Sequence, residues 1–81
     1  MKIHASARFT GSLLPFHNEI EVDMQDSQIQ PNLERLINHV LSQFKIKCTD
    51  YFKVNWADMY FFEVYYFSDL KEINLFKKEK V

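Results

Sequence analysis

Residues 59–67 read Met-Tyr-Phe-Phe-Glu-Val-Tyr-Tyr-Phe, and this stretch decides the fold. Aromatic and β-branched residues at this density favour an extended, pleated backbone, so the segment is expected to be a strand. Side chains along a strand alternate between two faces. Phe62 and Val64 therefore share one face, and Phe61, Glu63, Tyr65 and Phe67 share the other. Burying an unpaired carboxylate costs roughly several kcal/mol, which directs Glu63 outward and Phe62 and Val64 into the core. The outer face then carries aromatic rings as well.

Upstream of it, residues 45–56 also alternate: Ile46, Cys48, Phe52, Val54 and Trp56 against Lys45, Lys47, Thr49, Tyr51, Lys53 and Asn55. This spacing predicts a strand joined to 59–67 through Ala57-Asp58. A register with Trp56 opposite Tyr60, Val54 opposite Phe62 and Phe52 opposite Val64 keeps Glu63 outside, beside Lys53. Asp50 interrupts the pattern, as a bulge or the end of pairing would.

Residues 31–44 carry the clearest helical stripe. Leu33, Leu36, Ile37, Val40, Leu41 and Phe44 recur at three- and four-residue intervals, with Glu34, Arg35, Asn38, His39, Ser42 and Gln43 opposite. Pro31 suits the first turn, and Ser27, Gln30 and Asn32 are candidate caps. Residues 2–10 and 16–24 alternate with period two on either side of Gly11-Ser12-Leu13-Leu14-Pro15, which predicts an antiparallel hairpin. Pairing Phe9 with Phe16, or sliding by two to set Arg8 beside Glu19, places a basic strand face against Glu19, Glu21 and Asp23. The Leu13-Leu14 tip is expected to tuck against the end of the core. Beyond residue 67, Asp69 and Glu72 resemble a capping box, whereas Ile73 and Leu75 alternate as an edge strand; strand-like or mixed structure is favoured. Lys77, Lys78 and Lys80 mark a solvated end.

The expected architecture is α+β, a single small domain over residues 1–81. An antiparallel sheet in the order ββαββ, plus a C-terminal strand or short helix, carries one amphipathic helix on one face. One helix can cover only one face. Tyr51, Lys53, Phe61, Glu63, Tyr65 and Phe67 are therefore expected to form a partner-binding surface, unless Leu70, Ile73, Leu75 and Phe76 fold back across it.

Composition removes most chemistries. The chain has 81 residues and Gly11 is its only glycine, so phosphate-cradling loops and dinucleotide fingerprints are absent. Cys48 has no partner for a disulfide or a cysteine-based zinc site, and its expected role is a buried, inert side chain. His4, His17 and His39 have no spacing suited to a helical metal site and are expected at the surface. No catalytic residue, metal or cofactor is expected. Met1-Lys2 leads directly into an alternating strand without an apolar run, so no signal peptide or membrane partner is expected and a cytoplasmic setting is.

These observations suggest a protein-binding module, not an enzyme, whose partner is a larger protein or complex. Inhibition of that partner, of the kind practised by small phage or mobile-element anti-defence proteins, is an expectation by analogy alone. The acidic strip Glu19, Glu21, Asp23 and Asp26 adds faint support, as a mimic of nucleic acid. The first alternative is single-stranded nucleic acid held by Lys45, Lys47, Tyr51 and Lys53 beside Phe61 and Tyr65, although the net charge of −1 argues against it. The second alternative is a homodimeric structural or regulatory protein.

Overall fold

The computed structural model of the chain describes residues 1–79, the side chain of Tyr51 excepted. Four strands, β1 (Lys2–Phe9), β2 (Phe16–Glu21), β3 (Met59–Ser68) and β4 (Lys71–Glu79), form one antiparallel sheet in the order β2-β1-β3-β4. Between β2 and β3 the chain runs through α1 (Asp26–Ile29), a 3-10 turn (Gln30–Asn32) and α2 (Leu33–Tyr51). A second 3-10 turn, Trp56–Asp58, leads into β3. The helical segment packs on one face of the sheet, so the α+β architecture is the expected one.

The expected strand over residues 45–56 is not formed, because α2 continues to Tyr51. Two periods compete in this region. The strand reading needs Ile46 and Phe52 inside, yet each is 50% exposed. The helical reading needs only Cys48, one turn beyond Phe44, and both are buried against the sheet. No Gly or Pro interrupts residues 45–51, and extending an existing helix gains one hydrogen bond for each residue fixed. Asp50 loses its anomaly, since it lies exposed on the last turn. The helix is stopped by Lys53, whose φ of 57° is left-handed, a position usually held by glycine. The start also differs from expectation. Instead of Ser27, Gln30 or Asn32, Gln25 precedes the first turn and donates its backbone N–H to the Gln28 side chain at 2.9 Å.

Removal of residues 45–56 from the sheet changes the partners of β3. It pairs with β1 (His4 opposite Tyr65, Ser6 opposite Glu63) and with β4 (Glu63 opposite Lys77, Phe67 opposite Glu72). Trp56 therefore does not face Tyr60 across a hairpin, and Lys53 is not the neighbour of Glu63. The side choice along β3 holds: Phe62 and Val64 are fully buried, while Glu63 is half-exposed. Phe62 anchors the core, meeting Phe44, Trp56 and Phe76 at centroid distances of 5.4, 6.1 and 6.1 Å.

The first hairpin forms in a register neither expected alternative contains. Ala7 lies opposite Phe16, His4 opposite Glu19 and Lys2 opposite Glu21. Basic against acidic survives, but the connection lengthens to residues 10–15. Thr10 N–H is tied to the Asp58 carbonyl at 2.9 Å and Gly11 takes a φ of 85°. The tip consequently projects past the strand ends, and Leu13 is 100% exposed instead of tucked away. The C-terminal segment is β4, paired edge-on with β3; Lys80, expected in its solvated end, lies outside the described residues.

Candidate functional site

Strand order and register determine what the outer face presents. Across β2, β1, β3 and β4, Glu21 pairs with Lys2 at one end of this face and Phe67 with Glu72. The next row holds Glu19, His4, Tyr65 and Asn74, and the third His17, Ser6, Glu63 and Lys77. The last holds Arg8, Phe61 and Glu79. Directly opposed residues share a face, so these side chains all stand on the side away from α2.

The centre of this face is a cluster of rings. His4 stacks on Tyr65 at 5.2 Å and on His17 at 5.3 Å, and Phe67 stands edge-on to both His4 (5.3 Å) and Tyr65 (5.7 Å). His4 Nδ1 and His17 Nε2 are 3.1 Å apart, a hydrogen bond in which one nitrogen carries the proton and the other accepts it. Glu19 lies 3.7 Å from the same His4 nitrogen. At the opposite end, Arg8 and Lys77 approach the Phe61 ring at 5.5 and 5.7 Å, within cation–π range. Glu63 accepts from Asn74 Nδ2 at 3.4 Å. Burial pushes the Tyr65 hydroxyl above its usual pKa, and the Glu63, Glu72 and Glu19 carboxylates add to the shift. Tyr65 thus remains a neutral hydrogen-bond donor across the physiological range.

Of the residues expected to form the partner surface, Phe61, Glu63, Tyr65 and Phe67 come together on this face. Lys53 does not join them, since it sits beyond the end of α2. Tyr51 falls within α2, and its side chain lies outside the described residues. Lys45 and Lys47 are likewise on the helix, where Lys47 Nζ donates to Asn18 Oδ1 at 3.1 Å. The basic-aromatic set envisaged for nucleic acid is therefore dispersed. The C-terminal segment does not fold back over the rings: Leu75 and Phe76 pack against the core on the helix side, Leu70 is 99% exposed, and Phe67 keeps 54% of its surface open.

Sequence reasoning missed the contribution of His4 and His17 to the ring cluster. Alternation placed both on the outer side of the hairpin, but only the β1–β3 pairing brings Tyr65 and Phe67 beside them. No local period encodes that pairing; it shows in the burial of β1. Its inward residues Ile3, Ala5, Ala7 and Phe9 are 0–2% exposed, as suits a central strand flanked on both edges.

Among the described residues no group of three His, Cys, Asp or Glu side chains could hold a metal, and no helix is long and apolar enough to cross a membrane. Cys48 is buried, and desolvation pushes its thiol up to about 11, which suppresses the nucleophilic thiolate. Comparison with known proteins gives no match to a family model, a curated protein or a solved structure.

Proposed function

We propose that the chain is a protein-binding module that works through the outer face of its sheet. The supporting observation is the strip Phe61, Glu63, Tyr65 and Phe67 on central strand β3, with the helical layer on the opposite side. Large rings held in fixed rotamers by their neighbours lose little entropy on contact, which suits them as interface anchors. The charges around them indicate the kind of partner. Glu19, Glu21, Glu63, Glu72 and Glu79 outnumber Lys2, Arg8 and Lys77 on this face, so the complementary surface is apolar with a basic rim. The same balance, with Lys45 and Lys47 on the helix, favours a protein over a nucleic acid as the partner. Blocking a larger enzyme or complex is the finer form of this proposal, and it suits a small domain whose described residues gather no catalytic constellation.

The test uses the purified protein as bait in lysate of its native host, with and without nuclease, beside a Tyr65→Ala/Phe67→Ala double variant. The proposal expects a stoichiometric protein that survives nuclease and is lost with the double variant, while the melting temperature stays nearly constant. Capture abolished by nuclease, or unaffected by the double variant, contradicts it.

A further inference from the structure

The free edge of β2, away from the ring cluster, borders a groove. Met1 and Val22 exchange backbone hydrogen bonds, at 2.7 and 2.9 Å. Antiparallel alternation from that pair turns the backbone groups of Ile20, Asn18 and Phe16 toward β1, and those of His17, Glu19 and Glu21 away from the sheet. β2 ends the strand order, so these outward N–H and C=O groups face no described strand. The other edge is defended: β4 carries Lys71, Lys77 and Lys78, and its pairing with β3 is broken by a bulge. The β1–β2 ladder has no bulge and β2 has no lysine.

Between β2 and the C-terminal half of α2 lies a groove of about 470 Å³, within the range of roughly 300–1,000 Å³ typical of ligand sites. Phe16, Phe44, Cys48 and Phe52 form its apolar wall, with the Phe16 and Phe52 rings 4.8 Å apart. His17, Asn18 and Lys47 are its polar members. Asn18 Nδ2 is buried without an acceptor, and among the described residues Lys47 has no carboxylate within ion-pair distance. Asn18 Nδ2 thus lacks an acceptor, and Lys47, which donates to Asn18 Oδ1, lacks a counter-charge, both in an apolar hollow beneath an unpaired strand edge.

We propose that the β2 edge takes up an extended segment of a partner protein as an additional strand. Its inward side chains are a bulky apolar residue, seated against Phe16, Phe44 and Phe52, and a carboxylate that gives Lys47 a counter-charge and Asn18 Nδ2 an acceptor. Its outward side chains are basic, opposite Glu19 and Glu21. Main-chain bonds to His17, Glu19 and Glu21 give affinity, and the alternating pockets give selectivity, the usual division in strand addition. A second copy of β2 would set Glu19 and Glu21 against carboxylates, which opposes self-pairing. The groove lies on the helix side, away from the ring cluster, and the two surfaces share only the His17, Glu19 and Glu21 border; the groove contacts can fail without the ring cluster failing.

The probe is a labelled peptide of about eight residues, alternating lysine with phenylalanine, aspartate and leucine, followed by anisotropy and amide spectra of the full chain. Binding is expected to shift and protect the amides of His17, Glu19 and Glu21. Replacing the peptide's aspartate by lysine, or introducing Lys47→Glu, is expected to weaken it about ten-fold or more, whereas Arg35→Ala, at an exposed helix position outside the groove, leaves it unchanged. The peptide charge reversal keeps the test independent of any folding defect in Lys47→Glu. No binding at roughly millimolar peptide, equal binding of the reversed peptide, or shifts confined to β4 overturns the proposal. Protection of the same amides that rises with protein concentration, without peptide, overturns it in favour of a second copy.

Discussion

Replacing Leu70 by glycine should stabilise this protein. The β3–β4 turn has two central residues, Asp69 and Leu70, and both have positive φ, 50° and 64°. That is the backbone of a two-residue hairpin turn which normally takes Asn-Gly or Asp-Gly. Left-handed backbone costs an L-residue roughly 1–2 kcal/mol. Leu70 is 99% exposed, so truncating its side chain forfeits no packing. Glycine removes the Cβ clash but costs roughly 0.5–1 kcal/mol through the greater freedom of the unfolded chain. The net gain is about 0.5–1 kcal/mol, which for a domain of this size raises Tm by about 2–8 °C. Leu70→Ala is the control, because it deletes the exposed side chain and keeps the Cβ; its Tm should stay near the parent's. Thermal unfolding of the three proteins at equal concentration decides the matter. A fall in Tm for Leu70→Gly would refute the strain argument, as would an equal gain for Leu70→Ala.

Lys53→Gly should likewise add roughly 0.5–1 kcal/mol, because Lys53 holds the left-handed position after α2. Its effect should add to that of Leu70→Gly in a thermal melt of the double variant, since the two sites share no partner. Phe62→Ala should cost about 3–5 kcal/mol in urea unfolding, because that ring is fully buried among Phe44, Trp56 and Phe76. Phe67→Ala, on the open face, should cost no more than about 1 kcal/mol; comparable losses would mean that the outer face is core. Cys48, with its thiol at about 11 against an ordinary 9.0, should react with iodoacetamide at pH 8 at least ~100-fold more slowly in the folded protein than in urea. Stability gained by keeping this thiol neutral is present below pH 9 and lost as pH rises toward 11, the direction set by a raised folded-state value.

The readable parts of the sequence were those in which one period stood unopposed. The alternation of residues 2–10 and 16–24 yielded a hairpin, the stripe from Leu33 to Phe44 a helix, and Glu63 oriented β3. Residues 45–51 failed because Lys45-Ile46-Lys47-Cys48 satisfies both periods. The deciding fact is the absence of a helix stop after Phe44, which alternation alone does not register. The hairpin register was out of reach for a different reason. Charge pairing is satisfied in several registers, whereas the real one is set by the core positions of Ala5, Ala7 and Phe16 and by how far the Gly11–Pro15 connection can extend. The candidate site inherited the first error and added a third, strand order. Phe61, Glu63, Tyr65 and Phe67 follow from strand parity alone and survive. Tyr51 and Lys53 entered through the assumed strand, and His4 and His17 were missed because strand order is a long-range property that no local period encodes.

The outer-face account is tested most directly by photo-crosslinking from two positions in the native host. A photoreactive phenylalanine analogue in place of Phe67 samples the ring cluster, and the same analogue in place of His39 samples the exposed surface of α2. A discrete protein adduct from position 67, insensitive to nuclease and absent from position 39, is the result predicted here. An adduct from position 39 alone, or a nucleic-acid adduct from position 67, would contradict it.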